Sequence, residues 1–152
     1  MLPRSPLRNA SCTVLPIVAI VGMWVGAATA DPAAEACLAE AIYHEARGNG
    51  DDGATAVAHV VLNRRKHGDF PDTICGVIGD DCQFSYRCDG RSLVMNDATE
   101  RARAERVAAA AISGDTSDPT GGALFFHAAG VDPDWFATRT RTGTIGNNVF
   151  YR

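Results

Sequence analysis

The strongest local pattern in this sequence is LAEAIYHEARG, at residues 38–48. Spacings of three and four residues, which mark one face of an α-helix, join Leu38, Ala41, Ile42 and Glu45. Glu40 points away from that face. We predict a helix over about 33–46, ended by Gly48-Asn49-Gly50 because these residue types tolerate left-handed backbone angles. The pattern therefore places one carboxylate, Glu45, on an apolar helix face.

Two more helices are predicted beyond this stretch. The first runs from about Gly53 to His67, with Asp51 and Asp52 as candidate caps and with Val57, Val60 and Val61 on its apolar side. The second runs over 98–113, where Asp97-x-x-Glu100 forms a capping box and Gly114 stops the helix.

The remaining segments predict small β elements. Residues 70–89 are rich in turn residues and cysteines, which favours an irregular or short β region. Strand candidates follow at 124–127 and at 145–151, the latter broken by Asn147-Asn148. The predicted fold class is α+β, a helix-dominated single domain with small β elements.

The first thirty residues are predicted to be a signal peptide and not part of the domain. They contain Arg4 and Arg8, an uncharged and mostly apolar run over 14–27, and then Ala28-Thr29-Ala30. An uncleaved anchor is the alternative, but about 14 residues are too few to span a bilayer comfortably. We therefore divide the chain into a signal peptide, 1–30, and one domain, 31–152. The mature protein is expected in the periplasm or cell wall, without a stable membrane span.

Charge and cysteine content narrow the class of the mature chain. Cleavage would remove two of the 14 basic residues and none of the 18 acidic ones, so the formal charge would change from −4 to −6. No basic stripe is present, and we expect no nucleic-acid partner. The four remaining cysteines predict two disulfides in one of three connectivities: Cys37, Cys75, Cys82 and Cys88. Zinc is the alternative, but their spacings lack the two-residue knuckle of structural zinc sites.

Glu45 is the first candidate for chemistry. A carboxylate on an apolar face loses hydration, which raises its pKa and suits a general acid. Lysozyme is the known case of this effect. An ion pair with Arg47 or Arg64 is the alternative. A zinc-protease motif at His44-Glu45 would need a second histidine where Gly48 stands, so no metal is predicted.

The other histidines are weaker candidates. We expect His59 and His67 on solvated helix faces. His127 lies in an aromatic strand candidate, where it could line a pocket or belong to the core.

Beyond residues 38–48, several blocks follow in a recognisable order. They are AVAHVVLNR at 56–64, FPDTI at 70–74, CQFS at 82–85, HA at 127–128 and TIGNNVFY at 144–151. This order resembles the SleB-type cell-wall hydrolases, a family that includes the spore-cortex-lytic enzymes. The resemblance covers nearly the whole mature chain. It implies a lysozyme-like catalytic domain that acts on peptidoglycan glycan strands, with Glu45 as the essential acid and no cofactor.

A lytic transglycosylase needs only one glutamate, whereas other glycosidases normally use two carboxyl groups. Because no second carboxylate stands out among Asp72, Asp81 and Asp89, we predict a monomeric lytic transglycosylase cutting between N-acetylmuramic acid and N-acetylglucosamine. An N-acetylmuramoyl-L-alanine amidase, a non-catalytic glycan-binding module and a disulfide-stapled inhibitor or scaffold are the alternatives. Candidate substrate-binding residues are Tyr43, Gln83, Ser85, His127, Asn147 and Tyr151, with Trp135 and Phe136 as possible stacking surfaces.

Overall fold

The computed structural model describes residues 31–131 and 134–152, so the predicted signal peptide lies outside the described residues. The α-helices are α1 (Pro32–Glu45), α2 (Gly50–Lys66), α3 (Ile74–Gly79) and α4 (Ala98–Ser113), with short 3-10 turns at Ser85–Arg87 and Asp134–Phe136. One antiparallel sheet, in the order β1-β3-β2, contains β1 (Phe125–Ala128), β2 (Arg141–Ile145) and β3 (Asn148–Tyr151). The predicted helix-dominated α+β class is confirmed. No helix in the described ranges is both long and apolar enough to cross a membrane.

Helix α1 is the centre of the helical layer and packs against α2, α3 and α4. Its N-terminus is capped by Asp31, whose carboxylate accepts a hydrogen bond from the Ala33 N–H at 3.0 Å. Leu38, Ala41 and Ile42 are almost fully buried against the other helices, as the spacing predicted. The C-terminal end of α1 therefore has a fixed position, and Glu45 is its last residue.

Helix α2 begins three residues before the predicted start. Asn49 is the N-cap residue but makes no side-chain cap bond, so the expectation that Asp51 and Asp52 cap this helix at Gly53 is wrong. Asp51 lies within the first turn and faces α4. Its carboxylate is 3.1 Å from Arg103 Nε and 2.9 Å from Arg106 Nη2. These contacts between α2 and α4 explain why an acidic residue stands there.

Helix α4 has the predicted limits. The Asp97 carboxylate accepts hydrogen bonds from the backbone N–H groups of Thr99 and Glu100, at 3.0 and 3.1 Å. The returning half of the capping box is not formed, because the Asp97 N–H donates to the Tyr43 hydroxyl at 3.0 Å. Gly114 ends the helix with φ of 84°, a value that favours glycine. Tyr43 thus joins the end of α1 to the start of α4.

Residues 70–89 contain no strand. Of the two predicted possibilities for this segment, the short β region is therefore wrong and the irregular segment is correct. Thr73 caps α3 by accepting a hydrogen bond from the Gly76 N–H at 3.1 Å, and Val77 and Ile78 are buried. The cysteines pair as Cys37–Cys75 and Cys82–Cys88, so two disulfides form as expected.

The sheet differs from the prediction by one strand. The expected break in the last strand candidate is the turn of a β2–β3 hairpin, in which Ile145 faces Asn148. Gly146 has φ of 57° and stands where a Cβ would lie 3.2 Å from the Asn49 Cβ, so glycine fits on both counts. Strand β2 was missed because RTGTI contains one apolar residue. The core between α2 and the sheet includes Val60 and Phe150.

His59 also differs from the prediction. It is buried, with Nε2 2.9 Å from the Thr116 hydroxyl oxygen, and burial lowers its pKa. The expectation of a solvated His59 is therefore wrong, because the loop after α4 covers that face of α2. His67 is exposed, as expected.

Candidate active site

Glu45 is half-buried at the C-terminal end of α1. Within the described ranges, no basic nitrogen lies within 4.0 Å of its carboxylate, and neither Arg47 nor Arg64 forms the ion pair considered above. Burial raises the pKa of Glu45. The charges of Arg91 and Arg64 oppose that rise, and the charge of Asp89 adds to it. The Glu45 carboxylate is therefore partly desolvated and has no ion-pair partner among the described residues.

A loop closed by the Cys82–Cys88 disulfide lies against this end of α1. Its Tyr86 ring stacks on His44, with centroids 4.5 Å apart and planes 17° from parallel. Arg87 Nη2 lies 2.9 Å from Glu40 Oε1, one turn earlier on the helix. Phe84 and Tyr86 are buried, whereas Gln83 and Ser85 alternate with them and are exposed. The loop thus presents the two predicted substrate-binding side chains, Gln83 and Ser85, to solvent, while Tyr86 and Arg87 contact α1.

Arg64 is bound at the edge of the sheet, and its charge acts on Glu45 without a direct contact. Its guanidinium group is buried, and its Nε donates a 2.6 Å hydrogen bond to the Leu124 carbonyl. Its Cζ lies 5.2 Å, 5.3 Å and 5.6 Å from the ring centroids of Phe70, Phe84 and Phe125, respectively. Burial lowers the pKa of Arg64 to about 10, so the group is cationic at neutral pH. The sequence indicated Arg64 only as a possible ion-pair partner of Glu45 and did not predict this aromatic cage.

A cavity of about 520 Å³ opens beside the end of α1. Tyr43, His44 and Arg47, which flank Glu45 in sequence, form one wall, and Arg91, Ser92 and Asn96 contribute to the other. Tyr43 is nearly fully buried, and Arg47 lies over its ring at 5.3 Å from Cζ to the centroid. Tyr43 therefore has a structural role as well as a position in the cavity wall. Arg91 was not among the predicted site residues because its loop carries no helix or strand pattern.

His127 and Tyr151 come together on the sheet. The His127 Nε2 and the Tyr151 hydroxyl are 3.0 Å apart, and the two rings stack at 5.4 Å. Phe136 lies 4.7 Å from each ring. Asn147 is exposed in the hairpin turn, where its carbonyl accepts a hydrogen bond from the Ala129 N–H at 2.8 Å. His127 and Tyr151 thus belong to the sheet, and Asn147 belongs to its hairpin turn. The role of these three residues in binding substrate stays a prediction. The Trp135 side chain lies outside what the structure describes.

Of the three aspartates considered as a second carboxylate, Asp89 is the one whose charge acts on Glu45. Asp89 is exposed, and its Oδ2 is 2.5 Å from Arg91 Nε. Its hydrogen bonds, chiefly with the Arg91 backbone, lower its pKa. Asp72 and Asp81 are exposed on the segment around α3.

The chain is similar to known proteins in both sequence and fold. The family model for cell wall hydrolases matches residues 48–151, and the chain belongs to this family. Glu45 stands three residues before the matched segment. Two solved structures confirm the lysozyme-like fold expected from the resemblance.

Two solved structures are similar to this chain. One is the catalytic domain of the germination-specific lytic transglycosylase SleB from Bacillus anthracis, with a TM-score of 0.69 and 29% identity over 83% of this chain and 99% of that chain. The other is the catalytic domain of the Bacillus cereus SleB protein, with a TM-score of 0.63 and 30% identity over 78% of this chain and 89% of that chain.

Curated relatives carry the name spore cortex-lytic enzyme. The protein of Oceanobacillus iheyensis is 38% identical over 119 residues, which are 74% of this chain and 39% of that protein. The protein of Halalkalibacterium halodurans is 36% identical over 118 residues, which are 74% of this chain and 33% of that protein. The matched part thus spans between a third and two-fifths of the length of these relatives.

Proposed function

We propose that this chain cleaves the glycan strands of peptidoglycan between N-acetylmuramic acid and N-acetylglucosamine, as a lytic transglycosylase with Glu45 as its acid and base. The observation that carries the proposal is the state of Glu45, which is half-buried and without an ion pair in the part of the chain that is described. Its raised pKa favours the protonated form that a general acid must have. The Bacillus anthracis neighbour is a lytic transglycosylase, which supports the same reaction class.

The proposed reaction needs one carboxyl group. Protonated Glu45 gives its proton to the glycosidic oxygen as the bond from that oxygen to C1 of N-acetylmuramic acid breaks. The 2-acetamido oxygen of the same sugar stabilises the positive charge at C1. Glu45, now a carboxylate, takes the proton from the 6-hydroxyl, whose oxygen bonds to C1 and closes a 1,6-anhydro ring. Glu45 ends the cycle protonated, and no water is consumed.

Hydrolysis is the second candidate, and Asp89 is the observation that favours it. A retaining or inverting glycosidase uses a second carboxylate near the acid, and the charge of Asp89 acts on Glu45. The contact between Asp89 and Arg91 would keep that carboxylate ionised. In this mechanism water attacks C1 and the product has a reducing end.

We further propose that residues 1–30 direct export and are removed, and that the mature chain acts as a monomer in the periplasm or cell wall. A basic start, an apolar run and a small-residue site support export. Both disulfides are compatible with an oxidising compartment.

Mass spectrometry of peptidoglycan fragments tests the proposal. Mature protein, Glu45→Gln and the matched control Glu40→Gln would each be incubated with purified sacculi. We expect anhydro-muropeptides from the wild type and from Glu40→Gln, and none from Glu45→Gln. Fragments with only reducing ends would instead support hydrolysis and direct attention to Asp89. Free stem peptides would mean amide cleavage, and intact sacculi that still bind the protein would mean a binding module.

A further inference from the structure

The cavity beside the end of α1 is lined in part by Arg47 and Arg91, which have no role in the proposed reaction. We infer that it binds a carboxylate carried by the lactyl arm of N-acetylmuramic acid, and that Arg47 and Arg91 supply the positive charge. This inference rests on the proposed function, because it names the part of the same substrate that lies beside the reacting bond.

Arg47 is the principal observation. It is exposed on the cavity wall, two residues after Glu45. Within the described ranges its guanidinium group makes no ion pair, and its one ring contact is with Tyr43. The chain as a whole is acidic, with 18 acidic against 14 basic residues. A cation that remains unpaired in an acidic protein is available for an anionic ligand.

Arg91 adds a second cation to the opposite wall. Its Nε contacts Asp89, and in the described part of the chain its Nη atoms have no hydrogen-bond partner. Asp97 is the acidic residue that lines the cavity, but its carboxylate accepts two N–H groups at the start of α4. That positive helix end partly offsets the charge of Asp97. Asp89 offsets the charge of Arg91, so Arg47 is the cation of the lining that has no acidic partner among the described residues, and the Nη atoms of Arg91 can still donate to an anion.

The chemistry of the substrate supplies such an anion close to the reaction. The N-acetylmuramic acid whose C1 belongs to the cleaved bond also carries the lactyl group, on its O3. In strands without peptides the lactyl group ends in its own carboxylate, and in peptide-bearing strands the free carboxylates belong to the stem. Both sources present a carboxylate on the sugar that Glu45 would contact. Arg91, which lines the cavity, is close enough for its charge to act on Glu45.

Kinetics on strands with and without free carboxylates test the inference. Wild type, Arg47→Gln and Arg47→Lys would be assayed on peptide-bearing strands, on amidase-treated strands and on the same strands after carbodiimide coupling of their carboxylates to methylamine. We expect Arg47→Gln to raise KM about fivefold on the untreated strands, the upper range for an exposed ion pair, with kcat nearly unchanged. Arg47→Lys should restore most of the loss. On methylamidated strands wild type and Arg47→Gln should have the same, raised KM.

The matched control is Arg101→Gln, which removes an equal charge from the exposed face of α4, where Arg101 lies 3.8 Å from Glu105. It should behave as wild type on every substrate. Equal KM values for wild type and Arg47→Gln on untreated strands would overturn the inference while the proposed function stands. An effect confined to peptide-bearing strands would assign the stem carboxylates, and an effect confined to amidase-treated strands would assign the carboxylate that ends the lactyl arm. An effect on both would mean that Arg47 accepts either carboxylate. No cleavage of any substrate by the wild type would instead reject the proposed function.

Discussion

Glu40 and Glu45 lie on the same helix, five residues apart, and both side chains are partly buried. Glu40 faces Arg87, whose Nη2 lies 2.9 Å from its carboxylate oxygen. Glu45 has no such partner within the described residues, and burial raises its pKa. The same residue type in the same helix is thus a structural contact at one position and a candidate acid at the other. The difference is the presence of a counter-ion.

One loop contributes to both environments. In the segment closed by Cys82–Cys88, Arg87 reaches Glu40, and Tyr86 stacks on His44 next to Glu45. The loop thus supplies the counter-ion of Glu40 and contacts the residue before Glu45 in the chain. It supplies no counter-ion to Glu45 among the described residues, and burial favours the neutral form of that carboxyl group.

The largest expected effect compares activity in two glutamine variants. Glu45→Gln should lower kcat by about a thousandfold, within the range that general acid–base groups contribute. Glu40→Gln should keep kcat within about threefold and lose up to about 1 kcal/mol of unfolding free energy, as for a partly exposed ion pair. Turnover of sacculi and urea unfolding of both variants would measure this. If Glu40→Gln also lost nearly all activity while folded, the distinction between the two glutamates would be wrong.

The second comparison separates the two disulfides. In the chain-entropy model, a loop closed across 38 residues stabilises by about 4 kcal/mol, and one closed across 6 residues by about 2 kcal/mol. Replacing Cys37 and Cys75 by alanine should therefore lower unfolding free energy more than replacing Cys82 and Cys88. Replacing Cys82 and Cys88 should lower activity more than replacing Cys37 and Cys75, because the loop that Cys82 and Cys88 close contacts the end of α1 that carries Glu45. Urea unfolding and sacculus turnover on both double variants check the two orders, and a reversal of either would contradict this account.

Local signals explain what could be predicted from sequence. Helix α4 had the expected limits because Asp97 and Gly114 act within one turn of its ends. The face that carries Glu45 followed from helical spacing alone, and the resemblance to cell-wall hydrolases gave the family.

Non-local contacts explain what could not be predicted. His59 was placed in solvent because its partner, Thr116, lies 57 residues away. The rings around Arg64 come from three separate segments, at Phe70, Phe84 and Phe125. Whether a glutamate of α1 has a counter-ion also depends on non-local contacts. Arg87, which contacts Glu40, lies in the loop closed by the Cys82–Cys88 disulfide, and that pairing could not be predicted from the sequence.

A third, smaller effect concerns stability and pH. Burial raises the pKa of Glu45 in the folded state above its ordinary value of 4.5. The folded protein therefore binds this proton more tightly than the unfolded chain between pH 4.5 and that raised pKa. Stability that comes from Glu45 is complete below this window and is lost as pH rises through it. Glu45→Gln should accordingly become more stable relative to wild type across the window, as measured by urea unfolding at several pH values. A constant difference at all pH values would mean that folding does not raise this pKa.

The smallest effect is a pair of opposite shifts in the pH profile of kcat/KM. A general acid works when protonated, so the rate should fall as pH rises through the pKa of Glu45. The charge of Arg91 lowers that pKa and the charge of Asp89 raises it. Arg91→Gln should therefore move the fall to higher pH, and Asp89→Asn should move it to lower pH, more so because Arg91 then loses its partner. Added salt should reduce both shifts, since both residues are exposed. Shifts in the same direction, or no shift, would contradict the action of these two charges on Glu45.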